Sequence, residues 1–184
     1  GLGLLEVPDP SLIFINSAGK PCSGTAVAAS FEGSRPLLIE IQALVAPSGP
    51  AYARRMASGI DQNRLALIIA VLEKKRSFKL SGCDVYLKVS GGVFLKDPSA
   101  DLAIAAAIVS SSLDQALPAD TVFTGEISLS GQIRSVPFLD LRLREVERMG
   151  YKTAIIPAGA SRKPHASGLQ LLEVASIEDF IELL

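Results

Sequence analysis

A chain of 184 residues with a formal net charge of −1 is sized for one domain, with room for a small appendage. Its apolar fraction of 48% is ample for a core, yet the longest unbroken apolar runs, 65–72 and 102–109, are far too short to cross a bilayer. A lone histidine, His165, excludes His-based triads and His-ligated zinc clusters. The two cysteines, Cys22 and Cys83, lack metal-like spacing and suit free thiols in a reducing cytosol.

In chain order, Gly1-Leu2-Gly3-Leu4-Leu5 has no basic n-region, so no secretory signal is expected. Residues 10–16 read as a short helix capped by Asp9. Residues 25–31 and 37–45 read as strands joined through Glu32-Gly33-Ser34-Arg35-Pro36. A Pro/Gly/Ser loop over 46–52 leads to a strand near 53–57. Asp61 then caps a helix from Gln62 to about Arg76, apolar nearly all round from Leu65 to Leu72 and therefore buried. Asn63 and Arg64, at the start of that helix, suit either hydrogen bonds that close a loop or a contact between subunits. Residues 84–89 alternate as a strand, with Val85, Leu87 and Val89 on one face. Gly91-Gly92 ends it, and no Gly-x-x-x-x-Gly-Lys-Ser/Thr string exists to cradle a nucleotide.

Lys96-Asp97-Pro98-Ser99-Ala100-Asp101 opens the next helix: Asp97 fits the N-cap and Pro98 the first helical position. Ser99 falls in the first turn, where free backbone N–H groups favour negative charge, and would become a nucleophile if a base stood beside it. Residues 121–129 and 132–136 read as a hairpin across Ser130-Gly131. A helix over 139–149 ends at Gly150, strands follow at 153–157 and 169–174, and Ser176 caps a last helix to Leu184. The sum is a single α/β or α+β domain without repeats.

Charge is uneven. Residues 51–80 carry seven Lys/Arg against two acids, and residues 131–165 seven against three, in an otherwise acidic chain. The two blocks suggest one electropositive side, carried by Arg54, Arg55, Lys74, Lys75 and Arg76 from the first and Arg142, Arg144 and Arg148 from the second. Solvated helix faces would give the same pattern. With no Trp and few Tyr or Phe, base stacking is not expected; phosphate contacts would dominate any nucleic-acid binding.

The serine segment and Gly125-Glu126-Ile127-Ser128-Leu129 resemble the proteolytic domain of Lon protease. Ser99 falls on that family's nucleophile, one residue is missing between Asp97 and Pro98, and Asp140 falls on the lysine that serves as base. An aspartate is far too weak a base to replace that lysine. Further segments resemble the C-terminal Lon-like domain of the bacterial repair proteins of the RadA (Sms) family. They include Gly59-Ile60-Asp61-Gln62-Asn63-Arg64-Leu65-Ala66-Leu67, residues 35–45, and Ala100-Asp101-Leu102-Ala103.

The resemblance implies a Lon proteolytic-domain architecture of the ribosomal protein S5 domain 2-like kind over 22–184, with 1–21 as a lead-in from a preceding ATPase domain. It implies a non-proteolytic assembly and DNA-handling role in recombinational repair, on single-stranded or branched DNA, within a hexameric ring in the cytoplasm. ATP, Mg and a structural Zn would belong to the preceding part, with no cofactor here. The alternative is a Lon-type peptidase using Ser99 with a displaced base such as Lys96 or Lys88.

Overall fold

A computed structural model describes residues 15, 21–49, 52–76, 78–160 and 168–184, the Arg76 side chain excepted. The helix expected over 10–16, most of the lead-in over 1–21, and His165 lie outside the described residues.

Seven strands form one sheet in the order β3-β4-β2-β1-β5-β8-β9. They are β1 Thr25–Glu32, β2 Arg35–Pro47, β3 Arg55–Ser58, β4 Cys83–Val89, β5 Thr121–Phe123, β8 Thr153–Pro157 and β9 Gln170–Val174. The β1–β2 and β2–β4 ladders are antiparallel, while β3–β4, β1–β5, β5–β8 and β8–β9 are parallel. The result is a mixed α/β domain with a mostly parallel sheet. Four helices accompany it among the described residues: α1 Gln62–Arg76, α2 Asp101–Leu113, α3 Leu139–Arg148 and α4 Ile177–Leu183.

Period-2 alternation sorts the strands onto two cores. Ala26, Ala28, Leu37, Ile39, Ile41, Val85, Leu87, Val89, Phe123 and Ile155 face α1, α2 and α4. Val27, Ala29, Leu38, Val122, Ala154 and Ile156 face α3 through Leu139, Leu143 and Val146. Helix α2 is buried at every position from Asp101 to Ser110; its alanines let it lie close against the sheet. Asp61 caps α1 as expected, accepting from the Asn63 and Arg64 amides at 2.9 and 3.1 Å. Ser176 and Asp179 form a capping box on α4.

The expected 121–129/132–136 hairpin is corrected. Strand β5 ends at Phe123, the chain turns at Thr124-Gly125, and only β6 Glu126–Ile127 pairs with β7 Ile133–Arg134 in a separate two-stranded sheet. The turn is forced at Gly125, whose amide donates to the Ser99 carbonyl (2.8 Å) and whose carbonyl accepts from Leu102 (3.1 Å). A Cβ there would sit 2.8 Å from Ile133 Cγ2, so the backbone approaches this closely only as glycine.

At the sheet's edge, the outward peptide groups of β3 meet a side chain instead of a strand. The Gln62 carboxamide donates to the Arg55 carbonyl and accepts from the Ala57 amide at 3.0 Å.

Candidate functional site

Asp97 ends an extended segment, accepts the Ser99 amide at 3.0 Å, and starts a 3₁₀ turn, Pro98–Ala100, that runs into α2. This is the N-cap read from the sequence, and it places Ser99 against Ala29 of β1, the central strand of the sheet. The Ser99 side chain is fully enclosed, with 0% exposure. Its hydroxyl donates to the Ala29 carbonyl at 3.1 Å and accepts from Arg142 Nη1 at 2.8 Å.

Arg142 therefore stands where the resemblance placed a base, and Asp140 does not. Asp140, on the first turn of α3, is exposed to solvent. Leu139, Arg142, Leu143 and Val146 fall on one stripe of α3 with i, i+3, i+4, i+7 spacing, and that stripe faces the sheet. Arg142 is only 2% exposed. Besides Ser99, its Nη1 donates to the Ala29 carbonyl (2.9 Å) and to Asp97 Oδ2 (2.6 Å), and its Nε donates to the Pro137 carbonyl (3.0 Å). Its guanidinium lies 4.6 Å from the Phe31 ring centroid, and Phe31 meets Phe138 in a tilted contact with centroids 5.6 Å apart.

Asp97 completes the cluster by accepting from the Phe31 amide at 2.9 Å. Burial pushes its carboxyl up, but the bonds from Arg142 and the Ser99 amide outweigh that and hold it below the ordinary carboxylate range. The placement of Arg142 on a DNA-facing surface is thereby corrected: its donors are spent on the interior.

A second, partly buried ion pair lies next door. Arg64 Nε meets Asp101 Oδ1 at 2.7 Å, and its other nitrogens donate to the Leu95 (2.9 Å) and Asp97 (2.7 Å) carbonyls. Asp101 Oδ2 accepts the Ile127 amide at 3.1 Å, fastening β6 to α2. Burial raises the Asp101 carboxyl against the pull of Arg64 and that amide. Of the two readings open for Arg64, the structure shows the loop-closing one, whereas Asn63 is exposed.

The remaining basic residues are scattered. Arg54, Lys74 and Arg144 are exposed and have no ion-pair partner among the described residues. Arg55 is half-buried and turned inward, donating to the Cys83 carbonyl and to Leu80 at 2.7 Å. Lys75 reaches Glu178 at 3.8 Å, and Arg148 holds Glu145 through two bonds of 2.6 and 2.9 Å. The Arg76 side chain lies outside the described residues. Lys74 and Lys75 ride on α1 and Arg144 and Arg148 on α3, helices packed on opposite faces of the sheet. The expected single electropositive side is corrected to two separate patches.

The chain that holds this arginine–aspartate cluster around an enclosed serine matches a known family over more than half of its length. The family described as "Subunit ChlI of Mg-chelatase" matches residues 65–160, more than half the chain, and the chain belongs to it. Nearly its whole length is similar to proteins named DNA repair protein RadA. That of Aquifex aeolicus (strain VF5) is 45% identical over 182 residues, 99% of this chain and 40% of the relative. Those of Escherichia coli (strain K12) and Bacillus subtilis (strain 168) are each 42% identical, over 98% and 96% of this chain and 39% of each relative. The resemblance to RadA read from the sequence is borne out, and the chain spans about two fifths of those relatives' length.

Proposed function

We propose that this domain is a non-proteolytic, Lon-like assembly and DNA-handling module of a RecA-like ATPase working in recombinational DNA repair. The observation that carries the first half is the partner of Ser99. A guanidinium keeps its proton throughout the physiological range, so Arg142 can donate to the hydroxyl but cannot take its proton. The hydroxyl's own proton is already directed to the Ala29 carbonyl. A buried serine held by an acid-locked arginine is a structural post, and positioned base help, worth roughly a hundred- to ten-thousand-fold, is absent from it.

Incubation with unfolded protein is therefore expected to yield no cleavage, and a serine-reactive phosphonate to leave Ser99 unlabelled. Labelling that disappears in Ser99→Ala overturns this and promotes the peptidase reading.

The repair role rests on similarity to the RadA proteins; a DNA-dependent ATPase and a hexameric ring belong to the longer protein this chain would serve. DNA contact rests on the exposed cations. Exposed Arg54, Lys74 and Arg144 supply phosphate contacts, with Lys75 and Arg148 available at the cost of their ion pairs. Binding is sequence-independent and weak per subunit, strengthened when a ring repeats the patch. The check is a salt titration on duplex and single strands. Arg144→Glu/Arg148→Glu and Lys74→Glu/Lys75→Glu are each expected to weaken affinity and flatten the log–log salt slope. Because the helices lie on opposite sheet faces, one pair should matter more for a given strand. Unchanged affinity and slope in both variants removes these residues from the DNA path.

A further inference from the structure

Two arginines from opposite sides of the sheet end on one residue. Helix α1 packs through Leu65, Ile68 and Leu72 on one face, and α3 through Leu139, Leu143 and Val146 on the other. Arg64, near the start of α1, donates through Nη2 to the Asp97 carbonyl at 2.7 Å and through Nη1 to the Leu95 carbonyl at 2.9 Å. Arg142, near the start of α3, donates through Nη1 to the Asp97 carboxylate at 2.6 Å. Neither arginine bonds to the other's helix, and Asp97 is the one residue that both sets of bonds share.

The segment that carries Asp97 has little freedom of its own. The Leu95 amide donates to the Gly59 carbonyl at 2.7 Å, the fork of Arg64 grips two carbonyls, and Pro98 keeps Asp97 extended at φ −65°, ψ 121°. On the other side the carboxylate accepts from Arg142 and from the Phe31 amide (2.9 Å) at Oδ2, and from the Ser99 amide (3.0 Å) at Oδ1. Hydrogen bonds of this kind span about 2.7–3.2 Å and tolerate little bending. A shift of Asp97 by about 1 Å that frees its carbonyl from Arg64 therefore also pulls its carboxylate off β1 and Arg142.

We infer that Asp97 is a clasp through which the starts of α1 and α3 open as one unit, so that loosening on one face of the sheet is felt on the other. Distant sites without a shared partner behave additively, and segments held by separate bonds open separately. Here the main chain of Asp97 belongs to one side and its side chain to the other, so neither arginine can let go without disturbing the other's bonds. The clasp stands independently of the DNA-handling reading.

The experiment is native-state hydrogen exchange, read at amides across the sheet from each substitution, with circular dichroism to establish that each variant is folded. Arg64→Lys is expected to speed exchange at the Phe31 amide by about twofold or more, the floor for residues that share a partner. Arg142→Lys should do the same at the Leu95 amide, so the result does not hang on one substitution. The Asp179 amide, capped by Ser176 at 3.1 Å and outside the clasp, should exchange as in wild type in both. In denaturant unfolding, the double variant should lose less than the sum of the two single losses. Wild-type exchange at Phe31 in folded Arg64→Lys, or at Leu95 in folded Arg142→Lys, overturns the clasp. So does an acceleration that Asp179 shares in full, which reports general loosening, and so does strict additivity in the double variant.

Discussion

Arg142→Met is expected to be among the most damaging single changes in the domain. It leaves the Asp97 carboxylate buried beside the Ser99 hydroxyl and the Ala29 and Pro137 carbonyls, all of which lose a donor. Breaking one partner out of a buried ion pair costs about 3–5 kcal/mol. For a chain of this length that lowers the melting temperature by about 6–20 °C. Arg142→Lys should recover only part of the loss, because an ammonium cannot serve Pro137 with one nitrogen and the Asp97–Ser99 pair with another. A melting temperature within two or three degrees of wild type for Arg142→Met (about 1 kcal/mol) would show that the cluster contributes little.

The same pair fixes a pH dependence. The Asp97 carboxyl is held below its unfolded value, so the folded state binds that proton less readily than the unfolded chain. Its contribution is fully present above the ordinary carboxylate range and is lost as pH falls through the depressed folded value. Asp101 acts with the opposite sign, since burial raises it: its charged form is a liability that acid relieves. Asp97→Asn should therefore flatten the acid limb of the stability profile, measured by denaturant titration at successive pH. An acid limb unchanged in Asp97→Asn would assign that limb to other carboxylates.

The second large effect is expected at Arg64. Arg64→Met strands the Asp101 carboxylate and two backbone carbonyls, Leu95 and Asp97, at a cost again of about 3–5 kcal/mol. Asp101→Asn added to it should recover part of that loss, because the uncompensated charge disappears while the Ile127 amide keeps an acceptor. Denaturant unfolding of both single variants and the double gives the coupling energy, and strict additivity would mean that the two side chains do not depend on each other.

Much of the fold was legible because its signals are local. Asp61, Asp97 and Ser176 announce helix starts by cap chemistry, and β4 shows its buried face as every second residue. The Thr121–Leu129 run misled because continuous β-propensity cannot reveal a tertiary requirement. The chain leaves the sheet at Gly125 to bond the serine turn, whose partner lies 26 residues earlier in the chain. The candidate site was read in half. Ser99 and its cap are contiguous and visible, whereas the position matched to the base falls on exposed Asp140 and the actual partner is Arg142, two residues on. A signal was present: Arg142 shares helical spacing with Leu139, Leu143 and Val146, so its side chain points into the domain. Arg144 does not share that stripe. The distribution of basic residues over the two sheet faces could not be seen, since linear charge blocks carry no information about which side of a sheet a helix covers.

The Gln62 side chain at the rim of β3 has a consequence for how copies of this domain can meet. An amide side chain that donates and accepts at successive outward peptide groups imitates one rung of a neighbouring strand. That rim is a plugged socket: an incoming extended segment finds its first two docking points taken. Growth by strand addition, which has no natural stopping point, is closed off there.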